Sequence, residues 1–221
     1  MGEPRTLVLV RHGETDWNAA GRAQGHADVP LNGAGHAQAG AVASVLRGFG
    51  PARLWSSDLL RAAQTAEHLA EATGLPVQRD ARLREYDVGE RAGLTIAEFA
   101  AAFPEEHAAW LIGSETLLVR GAESIAQVRE RVLPALQECF SALEPGRTGV
   151  VVLHAGCLKI GLLGLLGWPA ELGRSLQSIE NGGYCVLTES GTHNDLRLTS
   201  YNEKAGGVRH GADFVADAPV G

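Results

Sequence analysis

The sequence predicts an α/β fold, a three-layer α/β/α sandwich around a mostly parallel sheet whose last strand is antiparallel. Short apolar runs alternate along the chain with longer segments of helical periodicity. Parallel strands need a crossover connection, and helices of this length supply one. The chain has 221 residues, of which 45% are hydrophobic, so it can bury one sizeable core. We therefore expect a single domain over residues 1–203.

Each predicted strand is a short run that ends at turn-forming or polar residues. The first and fourth runs are continuously apolar, which is typical of strands covered on both faces of a sheet. The last two are separated by turn-forming residues and indicate a hairpin at a sheet edge. The six predicted strands are Thr6–Val10, Arg53–Ser56, Val77–Arg79, Gly149–Leu153, Tyr184–Thr188 and Leu196–Thr199.

The predicted helices show apolar side chains at helical spacing and recognisable ends. Gly74 and Pro76 follow the second helix, and Pro104 interrupts the third. Residues 204–221 are rich in Gly, Ala, Asp and Pro and lack periodicity, so we expect a loosely held tail. The five predicted helices are Gly33–Leu46, Asp58–Ala72, Thr95–Trp110, Ser124–Leu143 and Cys157–Leu166.

The composition argues against several classes of partner. The formal net charge is −7 at pH 7, whereas a nucleic-acid or anionic-membrane surface needs a concentrated basic field. No apolar stretch approaches the ~18 residues of a membrane span, and no signal peptide is expected. Cys139, Cys157 and Cys185 lack metal-ligand spacing and are expected to be small buried side chains in a reducing compartment. We expect a cytoplasmic protein that binds neither nucleic acid nor membrane.

Polar residues with chemical potential follow three of the predicted strands. They are Arg11 with His12, the segment from Ser56 to Arg61, and His154 with Ala155. Ligands of open α/β sheets bind outside the carboxyl ends of the strands. The sequence therefore predicts that these three segments form one site.

The segment from Leu9 to Asn18, which contains Arg11-His12-Gly13-Glu14-Thr15, resembles the signature of the histidine phosphatase superfamily, phosphoglycerate mutase-like branch. The resemblance extends in order to about residue 200 and implies the fold predicted above. Further matching motifs are Gln24-Gly25, Leu31-Asn32, Ser56 to Leu59, Arg61-Ala62, Gln64 to Ala66, Leu83 to Glu85, Gly89, Gly93 to Thr95, Glu123-Ser124 and His154.

The chemistry of the residues agrees with this resemblance. A neutral imidazole at a strand end can attack phosphorus, and the resemblance implies a phosphohistidine on His12. Arg11 and Arg61 have planar forks that can hold phosphoryl oxygens, although Arg61 could instead be a surface residue near a helix start. The resemblance places His154 across the phosphate as a donor that stabilises the transition state. From the residues alone, a core role for His154 is equally compatible with the apolar run before it.

A proton donor and a substrate pocket complete the predicted site. The resemblance implies that Glu85 is the general acid and base; its alternative is an ion pair with Arg84 or Arg82 on a solvated loop. Asn18 matches a phosphate-contacting position and could equally be a turn residue. Further predicted substrate contacts are Gln24, Gly25 and Ala155, under a small helical lid at about residues 86–123.

Departures from the family pattern bear on substrate and rate. Ala155 and Ala122 stand where glycine is usual, and Arg91-Ala92 replaces a frequently aromatic-acidic pair. Phosphoglycerate mutases carry a longer, more basic insertion than the short acidic segment from Ile96 to Glu123. We therefore expect a metal-independent phosphatase of small phosphomonoesters such as sugar phosphates or phosphoglycerate-type metabolites, with no cofactor. The alternatives are a cofactor-dependent phosphoglycerate mutase and a non-catalytic phospho-ligand binding or regulatory module; an exposed edge strand would permit a homodimer.

Overall fold

The computed structural model describes residues 3–113, 117–190 and 195–206. Its sheet has six strands, which are β1 (Thr6–Arg11), β2 (Pro51–Ser56), β3 (Val77–Arg79), β4 (Thr148–Leu153), β5 (Tyr184–Glu189) and β6 (Leu196–Glu203). Their order in the sheet is β3-β2-β4-β1-β5-β6. The first four in this order are parallel neighbours, β5 is antiparallel to β1, and β6 is antiparallel to β5. The mostly parallel sheet is confirmed, and the last strand is antiparallel to its neighbour β5, which runs against the other five strands.

Helices cover both faces of this sheet. The helices are α1 (Asp16–Ala19), α2 (Gly33–Arg47), α3 (Leu60–Thr73), α4 (Ile96–Ala102), α5 (Pro104–Leu111), α6 (Ile125–Ser141) and α7 (Ala155–Leu165). Successive side chains of a strand point to opposite faces, so Leu7 and Leu9 of β1 pack with α6 and α7, whereas Val8 and Val10 pack with α2 and α3. This gives the three predicted layers.

The structure corrects several predicted helix bounds. Helix α3 begins at Leu60 rather than Asp58, because Leu59 is extended (φ −62°, ψ 136°). Helix α7 begins at Ala155, two residues before the prediction, directly after the extended residue His154. The segment predicted as Thr95–Trp110 is two helices, since Phe103 before Pro104 leaves the helical region (φ −139°, ψ 65°).

Short elements that the periodicity did not reveal connect the longer ones. Thr15 and Asn18 form a capping box that starts the four-residue helix α1. Three 3₁₀ helices cover Ala81–Leu83, Gly89–Arg91 and Ala170–Arg174. Each is too short to show a hydrophobic period.

The remaining expectations about the chain concern its lid, tail and cysteines. Residues 114–116 of the expected lid and 207–221 of the expected tail lie outside the described residues. The three cysteines are buried, as predicted. Within the described ranges, none of the helices combines the length and apolarity that a membrane crossing requires.

Candidate active site

The three predicted segments meet at the carboxyl ends of neighbouring strands. Strand β4 lies between β1 and β2, and Leu153 pairs with Arg11 while Val152 pairs with Ser56. The residues that follow these ends are His12, Ser57 and His154. Arg11, His12 and Arg61 line a cavity of about 530 Å³ at this edge of the sheet.

His12 is buried, with 3% of its surface exposed. Its Nδ1 lies 2.7 Å from the carbonyl oxygen of Gly13. A carbonyl only accepts, so Nδ1 carries the proton and Nε2 keeps a free lone pair. Burial, reinforced by the positive charges of Arg61 and Arg11, lowers the pKa of His12 well below its ordinary value of 6.5. The ring is therefore neutral at physiological pH and nucleophilic at Nε2.

His154 is fully buried and lies 5.0 Å from His12 between ring centroids. Arg61 Nε donates to its Nδ1 (3.2 Å), so Nε2 carries the proton and donates to Ser57 Oγ (2.9 Å). Burial and the charge of Arg61 lower its pKa well below the ordinary value. The side chain is not among those that line the cavity, so donation to a phosphoryl oxygen requires Nε2 to exchange Ser57 for that oxygen.

Arg61 is 1% exposed, so the surface role considered for it is wrong. Its Nη1 and Nη2 donate to the carbonyl oxygens of Ala27 and Gly25, each at 2.8 Å. With the bond to His154, three of its five N–H groups are engaged and two remain. Burial lowers its pKa to about 10, which leaves it charged.

Arg11 projects into the same cavity from the end of β1. Its Nη1 donates to the carbonyl oxygen of Ile179 (2.7 Å), whereas its buried Nε has no hydrogen-bond partner. Burial lowers its pKa, against the opposing charges of Glu85 and Glu180. The two arginines give the floor of the cavity a positive field suited to an anion.

Glu85 lies at the N-terminus of α7. Its carboxylate accepts backbone N–H bonds from Tyr86 and Cys157 (both 3.0 Å) and from Gly156 (2.9 Å). The solvated ion pair considered for Glu85 is wrong. Arg84 instead pairs with Asp58, and Arg82 pairs with Asp80 and Glu138. Glu85 lines the cavity with its carboxylate fixed at a helix terminus.

Arg131 of α6 fixes the loop that carries Glu85. Its guanidinium donates to the backbone carbonyls of Arg84 (2.7 Å) and Glu85 (2.8 Å). It also forms two bonds to the carboxylate of Glu123 (2.9 and 2.7 Å). Sequence reasoning missed Arg131, because its position on the helix gives no indication of which carbonyls lie nearby.

Asn181 is a second residue that sequence reasoning missed. Its Nδ2 donates to the carbonyl oxygens of His12 (3.1 Å) and Gly13 (3.2 Å) and to Asn18 Oδ1 (3.3 Å). Its position in the sequence could have indicated this role. Asn181 precedes β5, and an antiparallel strand begins at the edge of the sheet where its parallel neighbours end.

The four predicted substrate contacts, Asn18, Gln24, Gly25 and Ala155, all line the cavity. Asn18 also has the turn role considered for it, because its Oδ1 accepts from Thr15 Oγ1 (3.0 Å). Gln24 is 8% exposed and its Oε1 is unpaired. Gly25 has φ +52°, and a Cβ there would lie 2.6 Å from the Val88 side chain.

The expected lid segment supplies much of the remaining wall. Arg91, Phe99, Glu106 and Trp110 line the cavity, with further apolar surface from Leu117 and Leu118. In the part of the chain that the structure describes, no group of three His, Cys, Asp or Glu side chains is arranged to hold a metal ion. The expected independence of metal remains a prediction.

Comparison with known proteins gives one consistent family. A model described as histidine phosphatase superfamily (branch 1) matches residues 7–203. A glucosyl-3-phosphoglycerate phosphatase of Mycobacterium tuberculosis (strain ATCC 25618 / H37Rv) is 41% identical over 191 residues, covering 83% of this chain and 85% of that protein. A protein named probable phosphoglycerate mutase GpmB, from Salmonella paratyphi C (strain RKS4594), is 38% identical over 169 residues, covering 73% and 76%.

A solved structure extends the similarity to three dimensions. Mycobacterial glucosyl-3-phosphoglycerate phosphatase in complex with VO3 superposes with a TM-score of 0.80 at 38% identity, covering 90% of this chain and 98% of that chain. The similarity therefore covers most of the chain in three dimensions.

Proposed function

Because the chain belongs to branch 1 of the histidine phosphatase superfamily and is a phosphomonoesterase, we propose that it hydrolyses small phosphosugar or phosphoglycerate-type esters through a phosphohistidine on His12. The observation that carries the proposal is the hydrogen bond from His12 Nδ1 to Gly13, because it leaves Nε2 as the free nucleophilic nitrogen. The similar proteins named for glucosyl-3-phosphoglycerate hydrolysis support this substrate class.

In the first step, the lone pair on His12 Nε2 attacks phosphorus and the bond from phosphorus to the ester oxygen breaks. The leaving oxygen takes its electron pair and receives a proton from Glu85. Arg11 and the two remaining N–H groups of Arg61 stabilise the charge on the phosphoryl oxygens. Glu85 is suited to this step because it lines the same cavity as His12.

In the second step, water attacks the phosphohistidine. Glu85, now a carboxylate, accepts the proton from the water, and the bond between phosphorus and Nε2 breaks to release inorganic phosphate. The three backbone N–H groups that bond to Glu85 hold its carboxyl group in place through both steps. Nε2 regains its lone pair, so the enzyme returns to its starting state without a metal or cofactor.

The charges of the cavity wall favour water over a second phosphoglycerate as the acceptor of the phosphoryl group on His12. Asp87 and Glu106 line the cavity and oppose a second strongly anionic acceptor, whereas the carboxylate of Glu123 is already paired with Arg131. Arg22 also lines it, but its guanidinium already pairs with Glu98 (2.7 Å). The mutase remains the competing function because a protein named as a mutase is among the similar sequences.

The test compares His12→Ala with His36→Ala, which removes an exposed histidine bonded to His68 (3.1 Å). Phosphate release from p-nitrophenyl phosphate and a panel of sugar phosphates is measured with a chelator present. We expect His36→Ala to match the wild type and His12→Ala to lose activity at least about 10³-fold. The wild type should also carry an acid-labile, alkali-stable phosphoryl label that His12→Ala lacks.

Full activity in His12→Ala would overturn the phosphohistidine mechanism, and complete loss of wild-type activity with the chelator would overturn metal independence. A coupled assay with phosphoglycerate and a bisphosphate primer tests the competing function. Phosphoryl transfer that exceeds phosphate release in this assay would favour the mutase.

A further inference from the structure

Arg91 lines the same cavity as His12 but belongs to the expected lid segment. It ends the 3₁₀ helix Gly89–Arg91 and is half-buried. The cavity, at about 530 Å³, lies within the range of pockets that enclose whole small ligands rather than a phosphoryl group alone. The wall that includes Arg91 is therefore available to the organic part of a substrate.

Aromatic rings fix the position of the Arg91 guanidinium. Its central carbon lies 4.7 Å from the ring centroid of Phe99 and 4.5 Å from that of Trp110. The two rings contact each other with centroids 6.2 Å apart. Cation–π contacts hold a guanidinium in place but do not neutralise its charge.

No carboxylate of the described residues forms an ion pair with Arg91, and its guanidinium lies in the wall away from Arg11 and Arg61, which are assigned to the phosphoryl group. Its Nε is buried and has no hydrogen-bond partner. By contrast, Arg22 in the same cavity pairs with Glu98. Burial lowers the pKa of Arg91, and no charge among the described residues offsets this effect. A guanidinium nevertheless stays charged at neutral pH, so the site holds a desolvated cation that lacks its anion.

We propose that Arg91, held by Phe99 and Trp110, binds a carboxylate of the substrate at a distance from the phosphoryl group, so that the enzyme selects phosphomonoesters of carboxylic acids. The planar edge of a guanidinium matches a carboxylate in a bidentate pair. A second phosphate fits less well, because one cation in a wall that also contains Glu106 does not balance two negative charges. This inference rests on the proposed phosphatase function.

Other unpaired polar atoms in the same cavity support the binding of an extended ligand. Gln24 Oε1 and Arg11 Nε are also buried without a hydrogen-bond partner. Buried polar atoms are ordinarily paired. Three such atoms on lining residues, one acceptor and two donors, indicate that a polar ligand completes the cavity.

The experiment measures carboxylate preference as a ratio of kcat/KM values within matched pairs. The probes are 3-phosphoglycerate against glycerol 3-phosphate, and 6-phosphogluconate against sorbitol 6-phosphate; each pair exchanges a carboxylate for a hydroxymethyl group at a different distance from phosphorus. The wild type should prefer the acid of at least one pair by about 10- to 100-fold, the range of one hydrogen-bonded charge pair. Because the ratio compares substrates on one preparation, it is insensitive to the folded fraction.

Arg91→Met should reduce this ratio to about one, and Arg91→Lys should keep part of it, since a lysine retains the charge but loses the bidentate edge. Arg120→Met is the matched control because Arg120 is exposed and pairs with Glu90 outside the cavity; it should keep the wild-type ratio. A wild type without carboxylate preference in either pair, or a preference that survives in Arg91→Met, would overturn the proposal.

Binding measured without turnover separates this inference from the proposed function. The same four compounds are titrated calorimetrically into His12→Ala and into the double variant with Arg91→Met. If His12→Ala binds the acids preferentially and the double variant does not, the Arg91 site is supported, even when the wild type hydrolyses none of the four compounds. A lack of hydrolysis by the wild type would count against the proposed function alone. Equal binding of acids and alcohols to His12→Ala would overturn the Arg91 site itself.

Discussion

Replacing Glu85 with glutamine separates its proton transfer from its contact with α7. The carboxylate accepts three backbone N–H bonds, from Tyr86, Gly156 and Cys157. Glutamine has the same size, but one of its two terminal groups is an amide NH2 that cannot accept. At least one backbone N–H of the three is therefore left facing a donor.

The size of both effects follows from these contacts. A buried backbone N–H that loses its acceptor costs about 1–3 kcal/mol, so Glu85→Gln should lower the free energy of unfolding by about that amount. Loss of a general acid reduces the rate by roughly 10²–10⁴-fold. That loss should be larger for a sugar phosphate than for p-nitrophenyl phosphate, because nitrophenolate leaves without a proton whereas an alkoxide requires one.

The assay compares kcat for these two substrates in the wild type, Glu85→Gln and Glu90→Gln, together with denaturant unfolding. Glu90→Gln is the matched control, because Glu90 pairs with Arg120 away from the site. This variant should leave kcat unchanged for both substrates. If Glu85→Gln slowed both substrates by the same factor, Glu85 would only support α7, and its role as proton donor would be refuted.

Two further predictions concern pH and the approach of α7 to the site. The folded protein lowers the pKa of His12 and His154 below 6.5, so the unfolded chain binds more protons below that pH. As the pH falls from 6.5 to about 5, the free energy of unfolding should therefore decrease by up to about 2.7 kcal/mol per pH unit, the sum for two histidines. His154→Gln removes one of them and should roughly halve this slope. An unchanged unfolding free energy across this range would contradict the burial of two neutral histidines. Gly156→Ala places a Cβ 2.7 Å from Glu85 Oε1 and from the Tyr86 ring, so it should displace the carboxylate and lower kcat at least about tenfold. Gly33→Ala is the control and should leave kcat unchanged, because its Cβ would meet nothing within 4 Å. Equal kcat values in the two variants would show that the position of Glu85 is not critical for turnover.

The sequence predicted the elements whose pattern is local. Strands β1 and β4 are continuous apolar runs, and such runs are buried on both faces wherever the sheet lies. Pro104 indicated a break in the helix predicted over Thr95–Trp110, and Phe103 before it does leave the helical region. The convergence of Arg11, His12 and His154 also followed from sequence, because parallel strands end at a common edge.

Other features depended on residues that are distant in the chain. Burial of Arg61 arises from carbonyl acceptors at Gly25 and Ala27, 36 and 34 positions away. Its helical position alone was equally compatible with an exposed side chain. Likewise, the sequence shows Arg131 only as a charged residue of an amphipathic helix, because its contact with the Glu85 carbonyl forms only in the folded chain.

The sequence by itself determined the α/β architecture and the family, and it predicted His12 as the nucleophile with Arg11 and Arg61 beside it, because hydrophobic period and ordered motifs are properties of neighbouring residues. Only the tertiary structure decided which nitrogen of His12 is free, what surrounds the Glu85 carboxylate, and that Arg91 stands in the cavity wall without an ion pair to a described carboxylate. Those properties depend on hydrogen bonds and burial, which exist only after segments far apart in the chain are packed together.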